Sequence, residues 1–222
     1  MTYTLPLRRR KLVLLLSLCS IILLGIHSGL TLYHYLVDEL PWLLRQLFDV
    51  DEENNIPTWY SSIALFLAAL LLLLLASEKK ATRDPFSIYW LGLSAGFLLL
   101  SLDEMAGLHE SLNSVTESSW AVYGAGLVII VAIAYLRFLY HLPTRTAVQF
   151  ILSGAVFLGG AIGVELYTEP YLYNDALDTL AYNLWTPVEE GMEMFGVILF
   201  INALLTYMHT DAGTTISTQI NP

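Results

Sequence analysis

The chain has 222 residues, of which 56% are hydrophobic and 14% charged, and a formal net charge of −10. That is too apolar and too poor in charge for an ordinary soluble domain. A single cysteine, Cys19, excludes an internal disulfide and carries no information on compartment.

The apolar residues come in long blocks, and a helix crossing the ~30 Å hydrocarbon core needs about 20 of them. Six blocks qualify, at 11–37, 58–77, 87–110, 120–141, 146–167 and 186–208. The expected fold is therefore all-α: a polytopic integral membrane protein, a bundle of about six transmembrane helices, since open sheet edges are not tolerated in lipid. Short links make residues 1–222 one transmembrane domain, with a tail over 209–222 expected to be disordered. Arg8-Arg9-Arg10-Lys11 opens the first block, whose apolar run is too long for a signal peptide and lacks a small-x-small cleavage site. It reads as a retained helix. With the N-terminus inside, Lys79, Lys80, Arg83, Arg137 and Arg145 join that basic cluster and only Arg45 lies outside. The asymmetry places both termini in the cytoplasm and the protein in the plasma (inner) membrane.

In chain order, polar residues gather at the outer ends of the blocks. The first block carries His27, Thr31, His34 and Asp38 at i, i+4, i+7 and i+11, with Ser20 further in. Helical periodicity puts these on one side. Each histidine alone is most simply a hydrogen-bonded packing residue; the stripe makes both candidate metal ligands. Asp49-Val50-Asp51-Glu52-Glu53 comes next, read as a solvated acidic loop.

The third block ends Ser101-Leu102-Asp103-Glu104-Met105-Ala106-Gly107-Leu108-His109-Glu110. On a continuous helix Asp103 and Glu110 lie about 20° apart, and Glu104 and His109 about 140° apart. Asp103 would then sit ~15 Å inside a helix running on to Asn113. The fifth block has Gly159, Gly160 and Gly163, explained by close helix packing, and then Glu165, which packing leaves unexplained. The sixth begins Thr186-Pro187-Val188-Glu189-Glu190-Gly191-Met192-Glu193. Thr186, Pro187 and Glu189 fit a capping box, while Glu190 and Glu193 share a face. Trp42, Trp59, Trp120, Trp185 and Tyr167, Tyr171, Tyr173 and Tyr182 mark the outer boundary, and Pro170, Tyr171 and Tyr173 suggest a lid.

Ionisable groups inside a membrane cost about 2.5–3.5 kcal/mol each on insertion scales, so this many need protons or a cation. A mixed Asp, Glu and His set without cysteine suits iron, manganese or zinc. The candidate ligands are Asp103, His109, Glu110, Glu165, Glu190, His27 and His34, with Glu104 and Glu193 as catalytic acid or base beside the divalent metal ion. Bis-histidine haem is geometrically open but leaves the carboxylates unexplained. The Glu-x-x-His signature of di-iron bundles is absent. So is the late histidine pair of membrane hydrolases of the alkaline ceramidase and progestin-receptor type.

Three functions are compatible with this pattern. The first is a metal-dependent membrane enzyme acting on a lipid or extracytoplasmic substrate. The others are a cation or proton transporter and an accessory subunit of a membrane complex. The inner half offers few polar groups (Ser20, Ser153, Asn202, Tyr135), which favours a site over a path. Membrane lipid and other membrane subunits are the expected partners; nucleic acid is not.

Overall fold

The structure, a computed structural model, describes residues 9–109 and 119–211. Its helices are α1 (Arg9–Leu36), α2 (Trp42–Phe48), α3 (Ile56–Ala81), α4 (Ser87–Ala106), α5 (Trp120–His141), α6 (Thr144–Leu158), α7 (Glu165–Tyr173), α8 (Leu180–Asn183) and α9 (Thr186–Asp211). A π-helical turn, Gly159–Val164, joins α6 to α7. Six helices are long and apolar enough to cross a membrane; α6, the π turn and α7 form the fifth, and α8 leads into α9 as the sixth. No strand occurs among the described residues.

The ends of the helices reflect local chemistry. Asn55 caps α3 by accepting the Thr58 N–H at 3.1 Å, and its amide donates to the Gln46, Asp49 and Glu52 carbonyls. That one residue closes the 49–55 loop against α2, a short surface helix the hydropathy pattern does not reveal. Lys79 and Lys80 lie in the last turn of α3, where cations offset the helix dipole. α4 stops at Gly107, whose φ of +58° is the left-handed conformation of a helix C-terminus. The continuous 87–110 helix expected from sequence is thereby corrected, and Asp103 sits in the last turn rather than deep inside. At the other end of the chain, α9 continues to Asp211, three residues into the expected tail; 212–222 lies outside the described residues.

α9 is the axis of the bundle, packed against α1, α3, α6 and the π turn, while α3 and α4 form a close pair. Of the apolar stretch in the sixth span 61% is buried, against 6% for α5, which leans on the outside. One end is basic. There Arg9 donates to Thr206, Lys79 lies over the Tyr207 ring and Arg137 over Phe86. Above it Leu72, Leu75, Trp90, Phe138, Ile201 and Leu204 form a nearly solvent-free layer. Polar groups within this half are satisfied locally: Ser20 with Tyr60, Ser94 with the Ala69 carbonyl, Ser153 with the Phe150 carbonyl. The opposite end is acidic.

Candidate carboxylate site

The acidic end is assembled by close helix contacts. A Cβ on Gly160 would stand 2.6 Å from the Glu189 carbonyl oxygen and 3.1 Å from Glu193 Cγ, and one on Gly196 would stand 2.7 Å from the Phe157 nitrogen. Only glycine lets α9 approach the π turn and α6 this closely. Gly163, expected to pack a neighbouring helix together with Gly159, meets nothing nearer than its own helix's Leu158 oxygen at 4.0 Å. The π turn adds a residue to the repeat and so rotates the helix beyond it by about 100°. Glu165 is the first residue after the turn, and accepts a hydrogen bond from Ser119 Oγ at 3.3 Å.

The capping box at the start of α9 is not formed. Thr186 is buried and its hydroxyl pairs with His27 Nε2 at 3.2 Å and the Asn183 carbonyl, while the Glu189 N–H donates to the Trp185 carbonyl. Glu189 is therefore free to join the other acids, within electrostatic reach of Glu165, Asp51 and His109. Glu190 and Glu193 lie one turn apart, and both are in reach of Glu104 on α4.

On α4, Asp103 turns outward to hold the chain beyond Gly107. It accepts the His109 N–H at 3.0 Å and pairs with His109 Nδ1 at 3.1 Å. The His109 ring rests on Trp120, centroids 5.1 Å apart. Glu110 lies outside the described residues. Glu53 from the acidic loop lies directly over Gly107, where any Cβ would collide with its carboxylate. The loop read as solvated is thus folded across the site: Val50 is buried, Tyr182 donates to Asp51 at 3.3 Å, and Tyr171 lies against Tyr182.

Below this cover, Glu104, Glu190 and Glu193 line a cavity of about 10 Å³ floored by Tyr60, Leu65 and Val197. That is close to the space one water fills. Ser61 Oγ on its wall is buried with no hydrogen-bond partner. None of the three carboxylates has a hydrogen bond or ion pair among the described residues. The π turn, Ser61 and Glu53 are contributions sequence reasoning missed. The cluster Gly159-Gly160 was the only signal of the first.

The histidine stripe does face the bundle, with Ser20, His27 and Thr31 all buried. It is nonetheless separate from the cavity. His27 Nδ1 stands 3.2 Å from the Val50 N–H and 3.3 Å from Asp49 Oδ1, its other nitrogen being taken by Thr186. His34 Nδ1 accepts the Leu40 N–H at 3.1 Å, and its Nε2 lies 3.0 Å from the Arg45 guanidinium. Both rings are occupied as struts. Among the described residues no three His, Cys, Asp or Glu side chains stand in metal-holding geometry. The seven-residue ligand set expected from sequence therefore does not converge on one point: His27 and His34 go elsewhere, and Asp103 and His109 bind each other.

The chain belongs to the family described as "Domain of unknown function (DUF8692)", which matches residues 8–208. No curated protein and no solved structure matches it.

Proposed function

We propose that the protein is a membrane-embedded binding site for a positively charged group, taken up at the acidic end by Glu104, Glu190 and Glu193. The observation that carries this reading is the convergence of three unpartnered carboxylates and an unpartnered Ser61 hydroxyl on one cavity. Like charges repel strongly where the dielectric is low, and a buried charge without a partner is strongly destabilising. A shared cation removes both penalties at once. Because the side chains do not close into an inner coordination sphere and the cavity between them is the size of one water, the occupant best suited to them is an ammonium group. An iron, manganese or zinc ion, with Glu104 and Glu193 as acid and base, would make the site a metal-dependent enzyme. That narrower reading requires the carboxylates to draw in around the ion.

The apolar layer of Leu72, Trp90, Phe138, Ile201 and Leu204 beneath the site supports binding over conduction. The basic end, with Arg9, Lys79, Lys80, Arg83, Arg137 and Arg145, favours an orientation with both termini in the cytoplasm and the acidic site facing outward. We propose the plasma (inner) membrane as its location.

The test is equilibrium dialysis of the purified full chain with manganese, zinc and ethylamine, alongside elemental analysis as isolated. At least one cation should bind near one per chain, and Glu190→Gln and Glu193→Gln should each weaken it tenfold or more. If no cation binds, or if both variants bind as the wild type does, the reading is wrong.

A further inference from the structure

The carboxylate cavity is walled mainly by three helices. Ser61 and Leu65 lie one turn apart on α3, Glu190, Glu193 and Val197 share a face of α9, and Glu104 comes from α4. Its polar complement is small enough to count. Tyr60, the one other polar residue on the wall, directs its hydroxyl away, to the Leu16 carbonyl at 2.6 Å and to Ser20 Oγ at 2.9 Å. Three carboxyl groups and the Ser61 hydroxyl are left, and the remainder of the lining is apolar.

Ser61 is set apart by what it does not touch. Other hydroxyls buried in the spans are satisfied nearby: Ser62 with Ser101, Ser94 with the Ala69 carbonyl, Ser153 with the Phe150 carbonyl and Thr168 with the Val164 carbonyl. Ser61 Oγ is the one buried hydroxyl without a partner among the described residues. A hydroxyl stranded in this way is unfavourable until something completes it. The space it faces is about 10 Å³, room for one water-sized occupant.

We propose that the cavity holds a free ammonium ion, its four N–H groups shared among Glu104, Glu190, Glu193 and the Ser61 hydroxyl, and that Ser61 sets the preference for this ion over substituted amines. The inference rests on the cation-binding reading above and names the ligand. An ammonium ion is the size of a water molecule, and its four donors equal in number the four polar groups on the wall. A carboxyl keeps an accepting oxygen whether or not it carries a proton. N–H···O contacts of about 2.7–3.2 Å also suit a wider ring of oxygens than the inner sphere of a metal ion, at about 2.0–2.6 Å. Each alkyl group on the nitrogen removes a donor and needs space that Leu65 and Val197, both 4% exposed, already fill. Ethylamine keeps three donors, enough for the carboxyl groups alone, and so binds more weakly. Potassium has the charge and similar size but no donor, and a site built to hydrogen-bond its ligand rejects an analogue that cannot.

The experiment is calorimetric titration of the purified full chain, in a non-ionic detergent and sodium phosphate at neutral pH, with the chlorides of ammonium, ethylammonium, tetramethylammonium and potassium. Wild type should bind one ammonium per chain at least tenfold more tightly than ethylammonium or potassium, and tetramethylammonium should give no heat of binding. Ser61→Ala should weaken ammonium tenfold and ethylammonium no more than twofold, so that the preference collapses. Without ligand that variant should melt no lower than wild type, because it deletes an unsatisfied group. Ser62→Ala, one residue away and facing Ser101, should leave the preference as it is. A folding defect would weaken both ligands together, so the ratio separates selection from damage. Ethylammonium or potassium bound as tightly as ammonium overturns the proposal, as does a preference that survives Ser61→Ala. If ethylammonium binds and ammonium is not preferred, only the assignment of the ion fails and the carboxylate site stands; if no cation binds, the site fails with it.

Discussion

Truncating His27 to alanine would leave the Thr186 hydroxyl, the Val50 N–H and the Asp49 carboxylate without their common partner. Each stranded buried group costs about 1–3 kcal/mol, so His27→Ala is expected to lower stability by at least that much, read as thermal unfolding in detergent. Metal content should be unaffected, because the ring is a strut. Asp49 adds a pH signature. Burial pushes its carboxyl up, but the His27 hydrogen bond and charge, the Asp51 N–H and the Arg45 charge outweigh burial and hold it below the ordinary carboxylate range. A folded-state pKa that is depressed contributes stability above the unfolded value, about 3.9, and loses it as pH falls through the folded value. Wild type should therefore lose stability as the medium is acidified below that range. Asp49→Asn should be less stable at neutral pH and flatter in acid. At this scale the sequence showed that the buried stripe exists, because i, i+4 spacing fixes a face. It could not show what the rings touch, since Asp49, Val50 and Thr186 are 22 to 159 residues away.

Among the elements, the π turn and the glycines facing α9 set the position of the carboxylates. Gly160→Ala puts a methyl 2.6 Å from a backbone oxygen that cannot swing aside, and overpacking of this kind costs about 1–3 kcal/mol. Gly154→Ala, on the same rod with nothing within 4 Å, should be neutral or gain up to about 1 kcal/mol from helix propensity. Parallel melts of the two variants check the contrast. Block lengths were legible: 120–141 coincides with α5, and the first block differs from α1 by only a residue or two at each end. The internal events were not. A glycine inside an apolar helical run is usually tolerated, so nothing in the pattern announced the stop at Gly107 or separated Gly160 from Gly163. The Thr186-Pro187 motif was a sound cap by local rules, yet the long-range bond from Thr186 to His27 took its hydroxyl.

For the whole molecule, the division into a basic, apolar-sealed half and an acidic, cavity-bearing half arises directly from the order of charges along the chain. Orientation can be checked by labelling in a Cys19→Ser background. Asp51→Cys, on the acidic-end loop, should react with an impermeant maleimide in intact cells, and Thr82→Cys, beyond the basic end of α3, only after lysis. Reversal of the two would turn the protein over and put the site in the cytoplasm. The acidic end also predicts a conflict between stability and binding, as sites of unpaired charge commonly show. The most direct measurement is the melting temperature of the purified chain, with and without the cation identified by dialysis, for wild type and for Glu104→Gln/Glu190→Gln/Glu193→Gln. A ligand at a hundred times its Kd should stabilise the wild type by about 2.7 kcal/mol. The triple variant should melt higher than wild type without ligand and gain nothing from it. A variant that melts lower than the empty wild type yet shifts as much with ligand would contradict the account.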